Sequence, residues 1–82
     1  MKIINILEHK NIWNYIISHN LLKQYKKAKQ LILNWKLQSV DFKKRRPYKS
    51  EKYYFKINNK YRAFGYIEWW ILKVFEINDH QN

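Results

Sequence analysis

The segment Tyr53–Ile67 reads YYFKINNKYRAFGYI and carries three cations, Lys56, Lys60 and Arg62. Cations at this spacing can bind phosphate oxygens, and the planar fork of an arginine matches them especially well. They can equally be surface side chains whose stems cover apolar area. The choice between these two roles depends on the element that carries the cations and on the face that each one occupies.

The aromatic and β-branched residues of this segment predict a β-hairpin with Asn58-Asn59 in its turn. A three-residue turn that includes Lys60 would place Lys56 opposite Arg62, whereas a two-residue turn would separate them. We favour the three-residue turn because it gathers apolar side chains onto one face. That face would comprise Phe55, Ile57, Tyr61, Ala63 and Gly65, and the other face would comprise Tyr54, Lys56, Arg62 and Phe64.

Two cations that face each other on paired strands repel and slightly destabilise a hairpin. The arrangement becomes favourable when an anion lies between them, so the pair points to a phosphate ligand. His80, near the C-terminal end, adds a side chain whose proton affinity suits general acid or base catalysis near neutral pH. A β-meander could bring His80 beside the middle strand and close to Arg62.

Other patterns that carry chemistry are missing from the sequence. His9 and His19 lie in or beside the predicted helices without a matching acid or cation cluster, and we interpret them as structural or surface residues. There is no metal-ligand spacing, glycine-rich phosphate loop or Ser-His-Asp arrangement. We therefore expect no metal and no other cofactor.

The charge of the chain is positive and unevenly distributed. The formal net charge is +11 over 82 residues, and between Lys43 and Arg62 only Glu51 opposes a run of cations. Such a field favours polyanions, of which nucleic acid is the commonest, although a solvated face that keeps the protein soluble is the alternative. The KKRR run, Lys43, Lys44, Arg45 and Arg46, would hold RNA backbone in a salt-sensitive way.

Composition predicts one folded domain over residues 1–82. The apolar share of 46% and the aromatic share of 18% are too high for a disordered tail. The chain has no cysteine and no apolar run that approaches a membrane span. We expect a cytoplasmic protein.

The first half of the chain predicts one strand and two helices. Met1–Ile4 is typical of a short strand, and Asn5 with Glu8 forms a capping box for a helix over Ile6–Ser18. Asn20 can cap a second helix after the break at His19-Asn20. The core-facing stripe of that helix comprises Leu21, Tyr25, Ala28, Leu31, Ile32 and Trp35.

The second half predicts a β-meander. Asp41–Ser50, which contains Pro47, reads as a loop or a short edge strand. Strands are then predicted over Tyr53–Ile57, Tyr61–Ile67 and Trp70–Ile77. A strand, two helices and an antiparallel meander packed against them define an α+β fold.

The stretches MKII, LILNW, YYFKINNKYRA and LKVFEINDH, taken in this order, resemble the RelE/ParE superfamily of bacterial toxin-antitoxin toxins. The HigB/RelE-like branch is the most similar, and the resemblance extends over essentially the whole chain. FKINNKYRA, followed by a strand and a near-terminal histidine, is its most specific part. The resemblance implies a compact RelE-like α+β fold, with two N-terminal helices on a mainly antiparallel sheet.

The resemblance also implies a function, namely metal-independent, ribosome-dependent cleavage of mRNA that inhibits translation. Lys56, Arg62 and His80 match the family's catalytic positions, and Tyr54 stands where some relatives carry another lysine. In this reading Arg62 stabilises the phosphorane. Lys56 does the same or acts as a base if neighbouring cations lower its pKa. The expected RNA-binding residues are Lys43, Lys44, Arg45, Arg46, Tyr54, Lys60 and Phe64.

The expected partners are the ribosome, mRNA and a cognate acidic antitoxin, joined in a higher-order toxin-antitoxin complex. Two other functions remain open at this point. A ParE-like protein would inhibit DNA gyrase on the same fold without catalysis. A basic nucleic-acid-binding module would need neither antitoxin nor chemistry.

Overall fold

The computed structural model of the protein describes residues 2–45 and 51–79, which form two helices and five strands. In chain order these are β1 (Asn5–Glu8), α1 (Lys10–Ser18), α2 (Leu22–Leu33), a 3₁₀ turn (Leu37–Val40), β2 (Lys43–Lys44), β3 (Lys52–Lys56), β4 (Arg62–Glu68) and β5 (Ile71–Asn78). The strands make one mixed sheet of order β1-β5-β4-β3-β2, in which β1 is parallel to β5 and the other neighbours are antiparallel. The predicted α+β class is confirmed.

The beginning of the chain differs from the prediction. The first strand begins at Asn5 rather than ending at Ile4, and α1 begins at Lys10 rather than Ile6. The predicted capping box is wrong, because Asn5 and Glu8 both lie in β1. The Glu8 carboxylate instead accepts a hydrogen bond from the Tyr25 hydroxyl at 2.7 Å. A parallel pairing with the distant strand β5 has therefore outweighed a local capping signal.

The second helix follows the predicted stripe except at its end. Leu21, Tyr25, Ala28 and Ile32 are buried, and Leu31 is half-buried. Its N-cap is Leu21 rather than Asn20. The helix ends at Leu33, so Trp35 lies beyond it with 63% of its surface exposed, and its predicted place in the core is wrong.

The core lies between the two helices and one face of the sheet. Strand residues Phe55, Ala63, Leu72, Val74 and Ile77 pack with helix residues Ile12, Ile16, Tyr25 and Ile32. Gly65 is required on this face because a Cβ atom there would lie 2.6 Å from the Lys73 carbonyl oxygen. The register slips beside it, between Phe64 and Gly65.

The predicted hairpin register is confirmed. Lys56 pairs with Arg62 and Phe55 with Ala63, which leaves a three-residue turn between Ile57 and Tyr61. The Asn58 side-chain oxygen accepts hydrogen bonds from the backbone N–H groups of Lys60 and Tyr61, both at 2.8 Å. This fixes the turn, as expected of asparagine. Before the hairpin, β2 supplies the predicted edge strand, while residues 46–50 lie outside the described part of the chain.

Candidate nucleic-acid interface

The side chains that point away from the helices share the second face of the sheet, here called the open face. Side chains alternate along a strand, so the buried row of Phe55, Ala63 and Ile77 is followed by rows on the opposite side. The members of the open face are Lys43, Lys52, Tyr54 and Lys56 from β2 and β3, Arg62, Phe64 and Tyr66 from β4, and Lys73, Phe75, Glu76 and Asn78 from β5. The open face thus mixes cations with aromatic rings.

Cations lie over the aromatic rings of the open face. The pairs, measured from the charged group to the ring centroid, are Arg62 on Tyr54 at 5.5 Å, Arg45 on Phe64 at 4.7 Å, Lys52 on Phe75 at 5.6 Å and Lys73 on Tyr66 at 5.9 Å. A ring attracts a cation through its quadrupole without neutralising its charge. The charges of Arg45 and Arg62, which make no ion pair within the described residues, therefore remain available to an anion.

Lys56 and Arg62 lie opposite each other at the turn end of the open face. Within the described residues, Arg62 makes no ion pair, whereas Lys56 Nζ lies 3.7 Å from Oδ2 of Asp41. Asp41 follows the 3₁₀ turn with a left-handed backbone, φ 50°, which directs the chain towards this site. The Asp41 carboxylate therefore offsets part of the repulsion between Lys56 and Arg62.

Two residues of β5 complete this end of the face, and the sequence analysis missed both. Asn78 pairs with Arg62, and its side-chain nitrogen donates to Glu76 at 2.6 Å. The Asn78 side-chain oxygen is buried and has no hydrogen-bond partner among the described residues. The Asn78 oxygen can therefore accept a hydrogen bond from the neighbouring Arg62 guanidinium or from a ligand. Because the register slips between Phe64 and Gly65, the pairing of Arg62 with Asn78 could not be predicted from alternation in the sequence.

The expected RNA-binding residues separate into two groups. Lys43 and Tyr54 lie with Arg62 on the open face, where Arg45 covers Phe64, and Tyr54 is partly exposed. Lys44 pairs with Tyr53 and so points to the other side of the sheet. Phe64 is on the expected face but only 2% exposed.

Phe64 therefore cannot stack on a base in this structure, and the role predicted for it is corrected. The ring lies 5.8 Å from that of Tyr54 and under the Arg45 guanidinium. It supports the two residues above it. Arg46 and the predicted catalytic residue His80 lie outside the described residues.

A described histidine lies at the same end of the sheet, on the helix side. The rings of Tyr15 and His19 stack at 3.8 Å, and His19 lies 5.6 Å from Tyr61, which the Lys60 ammonium covers at 5.4 Å. His19 and Lys60 thus both lie beside the Tyr61 ring at this end of the sheet. Burial, together with Tyr61 and Asp79, raises the pKa of the Tyr15 hydroxyl above its usual value.

A cleft of about 580 Å³ opens beside Lys56, between α2 and the hairpin turn. Ala28, Leu31, Val40 and Ile57 supply its apolar part. Its polar part comes from Gln24, Lys27, Ser39, Asp41, Asn58 and Asn59. With Lys56, seven of its eleven lining residues are polar, so the cleft lacks the mainly apolar lining of a small-molecule site.

No family model matches the chain, and no curated protein sequence matches it. In the described part of the chain, neither helix is long and apolar enough to cross a membrane.

Proposed function

We propose that the protein is the toxin of a type II toxin-antitoxin system and a metal-independent endoribonuclease that cleaves mRNA on the ribosome, as the HigB/RelE-like toxins it resembles do. The observation that carries this proposal is Arg62, which lies opposite Lys56 on a face lined with cations and aromatic rings and makes no ion pair within the described residues. A RelE-like fold, with two helices on one side of the sheet, accords with the observed α+β architecture.

RNA suits the open face better than other polyanions do. Phosphates need cations, and unpaired bases need aromatic surfaces, so single-stranded nucleic acid is bound by faces that combine the two. Tyr54 supplies an accessible ring beside Arg62. Lys43 and Arg45 extend the positive charge along the edge of the sheet, where backbone contacts would position the strand.

The chemistry uses the ribose of the RNA itself. The 2′-OH attacks the adjacent 3′-phosphate, the bond to the 5′ oxygen breaks, and the products are a 2′,3′-cyclic phosphate and a free 5′-OH. Arg62 and Lys56 stabilise the negative charge that develops on the phosphorane. The ion pair with Asp41 fits Lys56 to this electrostatic role. His80 takes the 2′ proton or supplies the 5′ proton, a role that rests on the family resemblance.

The partners follow from the same charge distribution. The ribosome presents RNA backbone to the cationic edge, and translation places the site of action in the cytoplasm. A cognate antitoxin with an acidic segment would silence the toxin by covering the same cations, and its affinity would fall with salt. Toxin and antitoxin would assemble into a higher-order complex.

Arg62→Ala tests the proposal directly. We expect single-turnover cleavage of mRNA on programmed ribosomes to slow by about 100-fold, because removing one charge-stabilising donor raises the barrier by roughly 3 kcal/mol. Lys23→Ala is the matched control, since it removes one cation from the exposed side of α2 and should leave cleavage unchanged. Circular dichroism verifies that both variants fold.

A folded Arg62→Ala protein that cleaves at the parental rate would exclude the proposed site. His80→Ala should slow cleavage by roughly 10²- to 10⁴-fold and abolish its pH dependence near neutrality. Intact mRNA accompanied by DNA breaks would instead identify a ParE-like gyrase inhibitor. RNA binding without either effect would leave a basic nucleic-acid-binding module.

A further inference from the structure

Three tryptophans adopt a backbone conformation that bulky residues avoid. Trp35, Trp69 and Trp70 have φ values of 65°, 54° and 63°. They are half of the six non-glycine residues with positive φ in the described part of the chain. All three side chains are exposed, by 63%, 78% and 56% of their surface. A bulky residue at positive φ is strained, and strain of this kind is concentrated at functional sites.

The fold needs a turn at each of these positions but not a tryptophan. Trp69 and Trp70 are the two residues between paired Glu68 and Ile71, where a turn with positive φ at both positions favours Asn-Gly. Trp35 follows α2 in a helix-ending motif that favours glycine. In that motif its N–H donates to the Ile32 carbonyl at 3.0 Å. The tryptophans therefore carry strain and expose apolar surface without serving the core.

The N-terminal segment runs between Trp35 and the turn that holds Trp69 and Trp70. The Ile4 N–H donates to the Trp70 carbonyl oxygen at 3.0 Å, and Lys2 Nζ lies 5.5 Å from the centre of the Trp35 ring. Ile3 between them is buried, so Lys2 and Ile4 both face outward. We call this surface the tryptophan end; it comprises Lys2, Ile4, Trp35, Trp69 and Trp70.

The tryptophan end lies at the far end of β4 from Arg62, about 20 Å away at the rise of a β-strand. The open face connects the two sites through Tyr66 and Lys73. The carboxylate nearest the turn in sequence, Glu68, is paired with Lys73 at 2.7 Å. Lys2 lies over the Trp35 ring, and within the described residues it makes no ion pair.

We propose that the tryptophan end is a second contact site for single-stranded RNA, at which unpaired bases stack on Trp69 and Trp70 while the backbone follows the cations of the open face. The net charge of +11 is complementary to a polyanion, and every base offers a face on which tryptophan can stack. This inference deepens the proposed function by taking RNA as the ligand, but it does not depend on cleavage.

Replacing Trp69→Asn together with Trp70→Gly separates binding from folding. Asn-Gly suits the turn, so we expect the Tm to rise by about 5 °C. Affinity for a single-stranded RNA of about ten nucleotides should fall by roughly 5- to 150-fold for each base that stacks on one of the two tryptophans. Affinity for an abasic oligonucleotide of the same length should not change, because it keeps the phosphates and lacks the bases.

The control is Ile17→Ala, which removes an exposed apolar side chain from α1 and should leave RNA affinity unchanged. Equal losses for the base-containing and abasic strands would overturn the stacking role. An unchanged affinity for both strands would also overturn it. In that case, a variant that no longer binds anionic vesicles would assign the tryptophans to a membrane surface, and one that no longer self-associates would assign them to a second copy of the chain. A parent that binds no single-stranded RNA overturns this inference, whereas the ribosome assay with Arg62→Ala decides the proposed function separately.

Discussion

The two faces of the sheet treat charge in opposite ways. On the helix-facing side, the Glu8 carboxylate is almost fully buried and has two partners, the Tyr25 hydroxyl at 2.7 Å and Lys29 Nζ at 2.8 Å. Burial and this hydrogen bond raise the pKa of Tyr25 far above its usual value. On the open face, Arg45 and Arg62 lie on aromatic rings, and within the described residues neither makes an ion pair.

The contrast between the paired Glu8 carboxylate and the open-face cations indicates a different role for each. A buried carboxylate must be paired, because an unpaired charge would destabilise the core by several kcal/mol. Unpaired cations on an open face do not stabilise the fold, and the opposed pair Lys56 and Arg62 slightly destabilises it. Such cations are useful when a ligand supplies the missing negative charge. The helix-facing side therefore serves stability, and the open face is the one that we propose for binding.

The largest expected effect contrasts neighbouring residues of β3 that point to opposite faces. Phe55 is 1% exposed in the core, so Phe55→Ala should lower the free energy of unfolding by about 3–5 kcal/mol. Tyr54→Ala should cost only about 1 kcal/mol in stability, because the ring is half-exposed. It should nevertheless weaken single-stranded RNA binding by roughly 5- to 150-fold through lost stacking. Urea unfolding and fluorescence anisotropy measure the two quantities.

If the helix-facing side serves stability and the open face binds RNA, Phe55→Ala should mainly lower stability. Tyr54→Ala should mainly lower RNA affinity. Measurements of Phe55→Ala binding are made at a temperature where the variant is folded. A Tyr54→Ala protein with parental RNA affinity would remove the open face from consideration as the interface. Tyr54→Phe serves as a further control, since it retains the ring and should bind as the parent does.

A smaller effect is expected from Tyr25→Phe, which removes one partner of Glu8. Lys29 remains, so the loss in unfolding free energy should be about 1–2 kcal/mol, with RNA affinity unchanged. The raised pKa of Tyr25 means that the folded protein retains a proton which the unfolded chain releases near pH 10. The stabilisation is therefore complete below that pH and declines above it.

Chemical unfolding of the parent and of Tyr25→Phe at several pH values checks this sign. The advantage of the parent should be constant from neutral pH to about 9 and should shrink as the pH rises beyond 10. An advantage that grew with pH would mean that the ionised form of Tyr25 is the one stabilised by folding. A change in RNA affinity would show that the helix-facing side also takes part in binding.

The sequence predicted the hairpin and its neighbouring strands well for a local reason. Alternating side chains and the Asn58-Asn59 turn specify which residues of β3 and β4 pair, so Lys56 could be placed opposite Arg62. The N-terminal strand was misplaced because its pairing partner, β5, lies more than sixty residues away, while the misleading capping signal of Asn5 and Glu8 is local.

The candidate site was predictable only in part, for the same reason. Asp41 contacts Lys56 because its backbone is left-handed, and no sequence pattern predicted that conformation. Asn78 pairs with Arg62 only because the register between β4 and β5 slips by one residue. His19 joined Tyr61 because α1 ends above the hairpin turn, which is a matter of packing. Arg46 and His80 lie outside the described residues, so the roles predicted for them stay predictions.

The smallest expected effect concerns Asp41, the one carboxylate that the described structure pairs with the cations of the hairpin turn. Asp41→Asn removes the charge and keeps the shape, and asparagine tolerates the φ of 50° found there. An exposed ion pair of this kind contributes about 0.2–1 kcal/mol. Freeing Lys56 for phosphate should therefore raise the affinity for a short RNA by roughly 1.5- to 5-fold at low salt, and the gain should vanish as salt screens the site. Glu68→Gln is the matched comparison, because it likewise breaks an exposed ion pair, with Lys73, but at the far end of β4. Equal gains from both substitutions would mean that net charge alone governs binding, whereas a gain confined to Asp41→Asn would place the phosphate at Lys56 and Arg62.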